Sequence, residues 1–233
     1  GLVGGADGVE GGGHGEALRG PACGSGPRTA QLSRLSRGGK PGDRVAGGEG
    51  ERLNFGEGQI MSEDKASAIQ LLFLDVDGVL TDGRFRLDEQ GRESKSFHVR
   101  DGIGLKLLLS CGIRVILVSG RRSKALEARA RELGVRDVYQ GVSDKGTLCR
   151  HLIAELGLER KQVCSVGDDL PDLGMFEEAG LRIAVADAVK EIREAADFIT
   201  RSRGGCGAVR EACEWLLKCQ GRWEAEIAQF RGK

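Results

Sequence analysis

Short apolar runs that end in polar residues limit the possible folds of this sequence more than any other feature. Three such runs span residues 69–74, 113–118 and 163–166, and residues 181–185 and 198–199 are further strand candidates. Near-continuous apolar strands are typical of a sheet that is buried on both faces. Helix-like stretches lie between the strands, at about 102–111, 122–133, 144–156, 172–179 and 188–196. This alternation predicts an α/β fold with an open, mostly parallel sheet flanked by helices.

Polar motifs follow three of the predicted strands. An Asp-x-Asp motif (75–77) follows the first strand, Ser-Gly (119–120) the second and Gly-Asp-Asp (167–169) the third. In open α/β sheets, ligands bind beyond the carboxyl ends of the strands. We therefore expect these three motifs to converge on one edge of the sheet.

The first motif has two carboxylates, Asp75 and Asp77, where a strand turns into a loop. One carboxylate can attack a phosphorus atom while the other shuttles a proton. A calcium loop is the rival interpretation, but its fifth position is Val79 and its twelfth is Arg86. A strand followed by an acidic turn with no catalytic role is the remaining alternative.

The third motif continues to Asp172, so that acidic residues accumulate at this edge. Clustered carboxylates repel one another unless a cation lies between them, and hard oxygen ligands select magnesium. Ser119 and Gly120 can donate a hydroxyl and a backbone N–H to phosphate oxygens, and Lys145, near a helix start, can supply a positive charge. Together these groups predict a magnesium-dependent site for a phosphoryl group.

These motifs, in this order, resemble the four motifs of the haloacid dehalogenase superfamily. The resemblance implies an aspartyl-phosphate route, in which Asp75 is the nucleophile and Asp77 protonates the leaving alcohol and then activates water. It implies that Asp75, Asp168 and the backbone carbonyl of Asp77 hold Mg²⁺, and that Asp169 and Asp172 are outer-shell acids. The implied phosphate-binding residues are Gly78, Ser119, Gly120 and Lys145. An Asp two positions after the nucleophile resembles the phosphatases and phosphomutases of the superfamily.

A closer resemblance covers residues 70–219. The segments 97–102, 119–122, 139–141, 184–188 and 204–211 resemble the phosphatases that act on 3-deoxy-D-manno-octulosonate 8-phosphate in lipopolysaccharide synthesis. This implies a Rossmann-like domain without a cap, and a homotetramer whose hairpins assemble a central barrel. The implied substrate-contacting residues are His98, Val99, Arg100, Asp101, Gly102, Lys106, Arg121 and Arg129. Arg suits both the phosphate and the carboxylate of such a sugar acid.

The spacing of the motifs leaves no room for a folded cap domain. Residues 83–99 are instead predicted to form a small β-hairpin with its turn at 88–91. An uncapped site is open to water, so we expect a neighbouring subunit to cover it.

Three other functions stay open. The shared scaffold also suits a nine-carbon, sialic-acid type 9-phosphate phosphatase, and Lys106 and Cys206 stand where Arg is frequent in the family. A non-catalytic oligomerisation module is a second alternative, against which the intact acidic motifs argue. A phosphomutase would need a cap to retain its intermediate.

Composition narrows the class of protein and its compartment. Lys plus Arg and Asp plus Glu each number 35, whereas a nucleic-acid-binding domain usually has a basic excess. No apolar run is long enough for a membrane helix. The seven cysteines are an odd number without a Cys-x-x-Cys motif, which predicts reduced thiols and a cytoplasmic location.

The glycines divide the chain. Residues 1–60 hold 19 of the 38 glycines, and such Gly-rich, aromatic-poor stretches bury too little apolar surface to fold. We expect a disordered leader over 1–62, a phosphatase domain over 63–221 and a C-terminal tail over 222–233. We also expect the functional polypeptide to start near Met61.

Overall fold

The computed structural model describes residues 62–231, and in this range strands and helices alternate as expected. The strands are β1 (Leu71–Asp75), β2 (Arg86–Leu87), β3 (Glu93–Ser94), β4 (Arg114–Ser119), β5 (Asp137–Gln140), β6 (Val163–Gly167), β7 (Leu181–Ala184) and β8 (Phe198–Ile199). A helical segment covers residues 62–67. The helices that follow it are α1 (Val99–Ser110), α2 (Lys124–Leu133), α3 (Lys145–Glu155), α4 (Leu173–Glu178), α5 (Lys190–Ala195), α6 (Ala208–Cys219) and α7 (Trp223–Arg231). Short 3₁₀ helices span Arg160–Gln162 and Leu170–Asp172.

Six strands form one parallel sheet in the order β5-β4-β1-β6-β7-β8. The chain runs outward from β1 to β5 and then returns to β6 on the other side of β1. Such a reversal of strand order opens a crevice beyond the carboxyl ends of the strands. The sequence motifs at 75–77, 119–120 and 167–169 all lie at these ends.

The sheet is buried on both faces, because alternate side chains of a strand point to opposite sides. Leu72 and Leu74 of β1 pack in the core that includes α1 and α6, whereas Leu71 and Phe73 pack in the core beneath α3 and α4. All four side chains are fully buried. The predicted fold class, an α/β sheet flanked by helices, is therefore confirmed.

Strands β2 and β3 form a separate antiparallel ribbon after β1, in which Arg86 pairs with Ser94 and Leu87 with Glu93. Its turn lies at residues 88–91, where the sequence placed it, and Asp88 accepts backbone hydrogen bonds from Gln90 and Arg92. The ribbon strands are shorter than predicted. Between β1 and β4, the described residues hold this ribbon and α1 and no cap domain.

Two elements differ from the sequence prediction. The sequence pattern missed strand β5, because its residues are half-buried at the sheet edge and do not form an apolar run. Helix α1 begins at Val99, three residues before the predicted start, and follows His98, whose backbone is extended.

The predicted division of the chain stays a prediction. The predicted start near Met61 and all of the predicted leader (1–62) except Ser62 lie outside the described residues. Ser62 is buried, and its hydroxyl donates to the Asp197 carbonyl oxygen at 2.9 Å. In the predicted tail, Trp223 is buried and Glu226 accepts from the Ser110 hydroxyl at 2.9 Å. Within residues 62–231, no helix is both long and apolar enough to span a membrane.

Candidate active site

A buried lysine between two buried aspartates forms the centre of the site. Asp75 ends β1, and its Oδ1 accepts from Lys145 Nζ at 2.5 Å. The same ammonium donates to Asp172 Oδ1 at 2.6 Å. Lys145 is the first residue of α3, whose start is fixed by Asp144, since the Asp144 carboxylate accepts from the Thr147 N–H. Burial of these charges is tolerable because they are paired.

Asp172 also holds the loop that follows β6. Its Oδ2 accepts backbone N–H groups from Asp168 at 2.9 Å and from Asp169 at 3.3 Å. Asp169 in turn caps the 3₁₀ helix by accepting from the Leu170 N–H at 2.8 Å. The two predicted outer-shell acids therefore fix the loop that presents Asp168.

Burial shifts the pKa values of the two acids expected to bind metal. It raises the pKa of Asp75 to about 7, helped by the nearby charge of Asp172 and opposed by Lys145. It raises the pKa of Asp168 to about 8, with the carboxylates of Asp75 and Asp172 adding to the shift. The pKa of Lys145 is raised as well: burial lowers it, but Asp75 and Asp172 outweigh that effect. Without a cation, this pocket opposes full ionisation of its carboxylates.

The donor set of the pocket suits Mg²⁺. Carboxylate oxygens of Asp75, Asp168 and Asp172 lie within 4.8 Å of one another. Asp168 Oδ1 is buried without a hydrogen-bond partner, as expected of an oxygen that a cation would coordinate. Hard carboxylate oxygens are the ligands that Mg²⁺ prefers. Asp77, whose predicted ligand atom is the backbone carbonyl oxygen, lies outside this carboxylate cluster.

Gly78 allows the loop after β1 to approach Asp168. Its φ is +105°, and a Cβ at this position would overlap the Asp168 carboxylate. Only glycine combines this backbone conformation with this close contact. Gly120, at the end of β4, has open space around it except for the Val142 carbonyl oxygen.

Asp77 is held by two partners, one of which the sequence analysis missed. Ser119 Oγ donates to Asp77 Oδ2 at 3.3 Å, and the Lys95 ammonium pairs with Asp77 Oδ1. The Lys95 side chain is fully buried, although it follows a solvent-exposed ribbon. A usable signal exists in the sequence: Glu93 and Lys95 are opposite charges two residues apart, which places them on one face of an extended segment.

Arg121 connects the end of β4 to the ribbon. Its guanidinium pairs with Glu93 at 2.9 Å and lies 3.9 Å from the centre of the Phe85 ring. Its backbone N–H donates to Ser119 Oγ at 3.1 Å. Arg121 therefore stands next to the predicted phosphate-binding hydroxyl.

The remaining predicted substrate residues lie on or near the first turns of α1. Val99, Arg100 and Lys106 are exposed and His98 is half-buried. Asp101 is buried, and its Oδ1 accepts from the Arg210 N–H at the start of α6 at 2.8 Å. Among residues 62–231, no hydrogen bond or ion pair joins these side chains to the Asp75 cluster.

Arg129 reaches α1 from α2. Its guanidinium pairs with Glu132 at 2.8 Å and lies 3.5 Å from the His98 carbonyl oxygen. A Cβ on Gly102 would overlap this guanidinium, so the glycine makes room for it.

Comparison with known proteins gives concordant matches. Residues 131–211 match the haloacid dehalogenase-like hydrolase family model. The chain is 45% identical over 165 residues to 3-deoxy-D-manno-octulosonate 8-phosphate phosphatase KdsC of Escherichia coli, covering 71% of this chain and 88% of the relative. It is 44% identical over 160 residues to the Yersinia pestis enzyme, covering 69% and 86%.

Solved structures agree with these matches. The 3-deoxy-D-manno-octulosonate 8-phosphate phosphatase of Moraxella catarrhalis, crystallised with a magnesium ion, a phosphate ion and a KDO molecule, superposes with a TM-score of 0.71 at 42% identity. The match covers 73% of this chain and 98% of that protein. The fold is thus that of solved 3-deoxy-D-manno-octulosonate 8-phosphate phosphatases.

Proposed function

Because the chain belongs to the 3-deoxy-D-manno-octulosonate 8-phosphate phosphatases of the haloacid dehalogenase-like hydrolases, we propose that it hydrolyses this phosphomonoester to the free sugar acid and phosphate. The reaction serves lipopolysaccharide synthesis, and Mg²⁺ is its cofactor. The observation that carries the proposal is the cluster of Asp75, Asp168, Asp172 and Lys145 at the carboxyl edge of the sheet. It combines a nucleophile, a cation site and a fixed positive charge in one pocket.

The proposed mechanism has two steps. An Asp75 carboxylate oxygen attacks phosphorus while the bond to the leaving oxygen breaks, and Asp77 gives its proton to that oxygen. Asp77 then takes a proton from water, which attacks the aspartyl phosphate and releases phosphate and free Asp75. Lys145 holds Asp75 in place through its 2.5 Å contact and offsets charge on the phosphoryl group.

Further groups of the chain bind the phosphate and the cation. We assign the Ser119 hydroxyl and the backbone N–H of Gly120 to the phosphoryl oxygens. Gly78 is assigned to the same phosphate site, and its own N–H donates to Thr81 Oγ1 at 3.3 Å. Asp75, Asp168 and the Asp77 carbonyl oxygen would hold Mg²⁺, with Asp169 and Asp172 fixing the Asp168 loop. When bound, Mg²⁺ supplies positive charge against the carboxylates and the phosphate.

Sugar-acid recognition is assigned to the first turns of α1 and to two arginines. The proposed residues are His98, Val99, Arg100, Asp101, Gly102, Lys106, Arg121 and Arg129. Arg121 is the best supported, because its N–H contacts Ser119 Oγ while its guanidinium remains about half exposed. Asp101 supports the site from within, by holding the start of α6.

We further propose a homotetramer in the cytoplasm. Phe85 and Leu87 are exposed apolar side chains two residues apart at the ribbon, and Val99 and Ile103 are exposed one turn apart on α1. Exposed apolar patches mark interfaces. Cys149, Cys164 and Cys213 are buried thiols, and burial raises their pKa values. Inert thiols of this kind suit a reducing compartment.

The decisive experiment measures phosphate release from 3-deoxy-D-manno-octulosonate 8-phosphate with Mg²⁺ and with a chelator. We expect the wild type to be active only with the metal, and Asp75→Asn to lose activity by about 10⁴-fold or more, because no nucleophile remains. Asp64→Asn is a matched control at an exposed position and should keep wild-type rates.

A nine-carbon sugar-acid 9-phosphate belongs in the same assay. A higher kcat/KM for that substrate would replace the eight-carbon assignment while keeping the mechanism. Release of phosphate from neither substrate would refute the proposed function, and full activity of Asp75→Asn would refute the nucleophile.

A further inference from the structure

Lys95 is a buried charge that the proposed mechanism does not yet use. Its side chain has no exposed surface, and two carboxylates surround its ammonium: Asp77 Oδ1, and Glu93 Oε1 at 3.4 Å. Burying a lysine ammonium costs desolvation free energy, so a lysine is rarely buried unless its charge is paired. This ion pair joins the ribbon to Asp77, the proposed general acid and base.

Asp77 thereby has both carboxylate oxygens fixed by different elements. Lys95, which follows β3, contacts Oδ1, and Ser119, at the end of β4, donates to Oδ2 at 3.3 Å. Glu93 continues the connection, because it also pairs with Arg121 at 2.9 Å. The orientation of the Asp77 carboxyl group therefore depends on the ribbon being seated against the loop after β4.

We infer that Lys95 is a positioning residue for the proton transfer of Asp77. This inference rests on the proposed function. In the first step the phosphorus–oxygen bond to the alcohol breaks, the bond to Asp75 forms, and the proton of Asp77 Oδ2 passes to the leaving oxygen. Anchoring of Oδ1 by Lys95 leaves Oδ2 directed at that oxygen once the Ser119 hydroxyl turns to the phosphoryl group. In the second step the same oxygen takes the proton of water.

The dependence of rate on the leaving group tests this role. A good leaving group, such as p-nitrophenolate, departs with little help from a general acid, whereas phenolate needs more help and an alkoxide needs most. The value of kcat/KM covers steps up to departure of the alcohol. It is measured for p-nitrophenyl phosphate, phenyl phosphate and a simple alkyl phosphate that has no carboxylate.

Lys95→Met, which keeps the length but removes the charge, should lose about 10- to 100-fold in kcat/KM for the alkyl ester and less than about threefold for p-nitrophenyl phosphate. Lys95→Gln, a neutral polar replacement, should also lose more kcat/KM for the alkyl ester than for p-nitrophenyl phosphate. It replaces the Met variant in the test if that variant does not fold. Lys95→Arg, which keeps the cation, should recover part of the alkyl-ester rate. Lys190→Met is the matched control at an exposed lysine.

Three outcomes are distinguishable. A steeper dependence on the leaving group supports the inference. An equal loss for all three esters, or no loss, overturns it, because a purely structural ion pair would not distinguish leaving groups. A wild type that hydrolyses none of the esters and no sugar-acid phosphate would instead refute the proposed function.

Discussion

At the scale of single residues, the site is defined by buried carboxylates whose negative charge Lys145 balances only in part. Asp75 and Asp168 are largely buried, and Lys145 offsets only part of their charge, since it is shared with Asp172. The residue types and their order could be predicted, because the motifs stand at strand ends. Lys95 could not, because its role depends on how a ribbon folds back over the site.

These shifted pKa values predict how the stability of the metal-free protein depends on pH. The folded pKa values of Asp75 and Asp168 are about 7 and about 8, against an ordinary value of 3.8. Between about pH 4 and about pH 8, the folded state therefore binds protons that the unfolded state has lost. The contribution of these two carboxyl groups to the unfolding free energy is complete below about pH 4 and disappears as the pH rises to about 8. Lys145 and Asp172 also face the pocket, where the Lys145 ammonium contacts both Asp75 and Asp172.

Mg²⁺ should accordingly raise the melting temperature more at high pH than at low pH, because it binds only the ionised carboxylates. Thermal melts with EDTA and with Mg²⁺, at about pH 5.5 and about pH 8.5, measure this difference. Asp168→Asn should weaken both the pH dependence and the metal effect, whereas Asp64→Asn should change neither. An equal metal-induced shift at both pH values would contradict the prediction.

At the scale of elements, the loop between β8 and α6 supports the loop after β1. The Gly205 N–H donates to the Val79 carbonyl oxygen at 2.9 Å, and the Gly204 N–H donates to Asp187 Oδ1 at 2.9 Å. A Cβ on Gly204 would overlap the Gly78 carbonyl group. The sequence indicated glycines in this segment but not the partner against which they pack.

Gly204→Ala should therefore displace the loop that carries Asp77 and Gly78. The obstacle is backbone rather than a flexible side chain, so we expect a loss of about 1–3 kcal/mol in unfolding free energy and at least about tenfold in kcat. Chemical denaturation and steady-state phosphate release measure the two effects.

Gly157→Asn is the control for that change. It stands at a left-handed position with open space around it, which Asn tolerates. Near-wild-type stability and rate for Gly204→Ala would show that the two loops are not in rigid contact.

At the scale of the whole molecule, the alternation of apolar runs with helical stretches was enough to predict the parallel sheet and the edge where the three polar motifs meet. The edge strand β5 was missed because half-buried residues carry little periodic signal. The ribbon was placed correctly, but its contacts with Arg121 and Asp77 are long-range. Local patterns do not encode such contacts, which arise only when distant segments pack.

The ribbon is also where assembly can be tested. Leu87 is 60% exposed on β2, close in sequence to Phe85 and opposite Glu93 on the paired strand. Leu87→Lys would place a charge in the proposed interface, at a side chain that is largely exposed in the single chain. We expect light scattering to give a tetramer for the wild type and a smaller species for the variant. The phosphatase activity of the smaller species should also fall, because the uncapped site is no longer covered by a neighbouring subunit.

Phe230→Lys separates this effect from a general change in surface charge. Phe230 is 63% exposed on α7 and is not part of the proposed interface, so its substitution should leave both mass and activity unchanged. A wild-type monomer with full activity would rule out a shared site. A tetramer that survives Leu87→Lys would move the interface away from the ribbon. The apolar surface of the ribbon and α1 would then need a different partner.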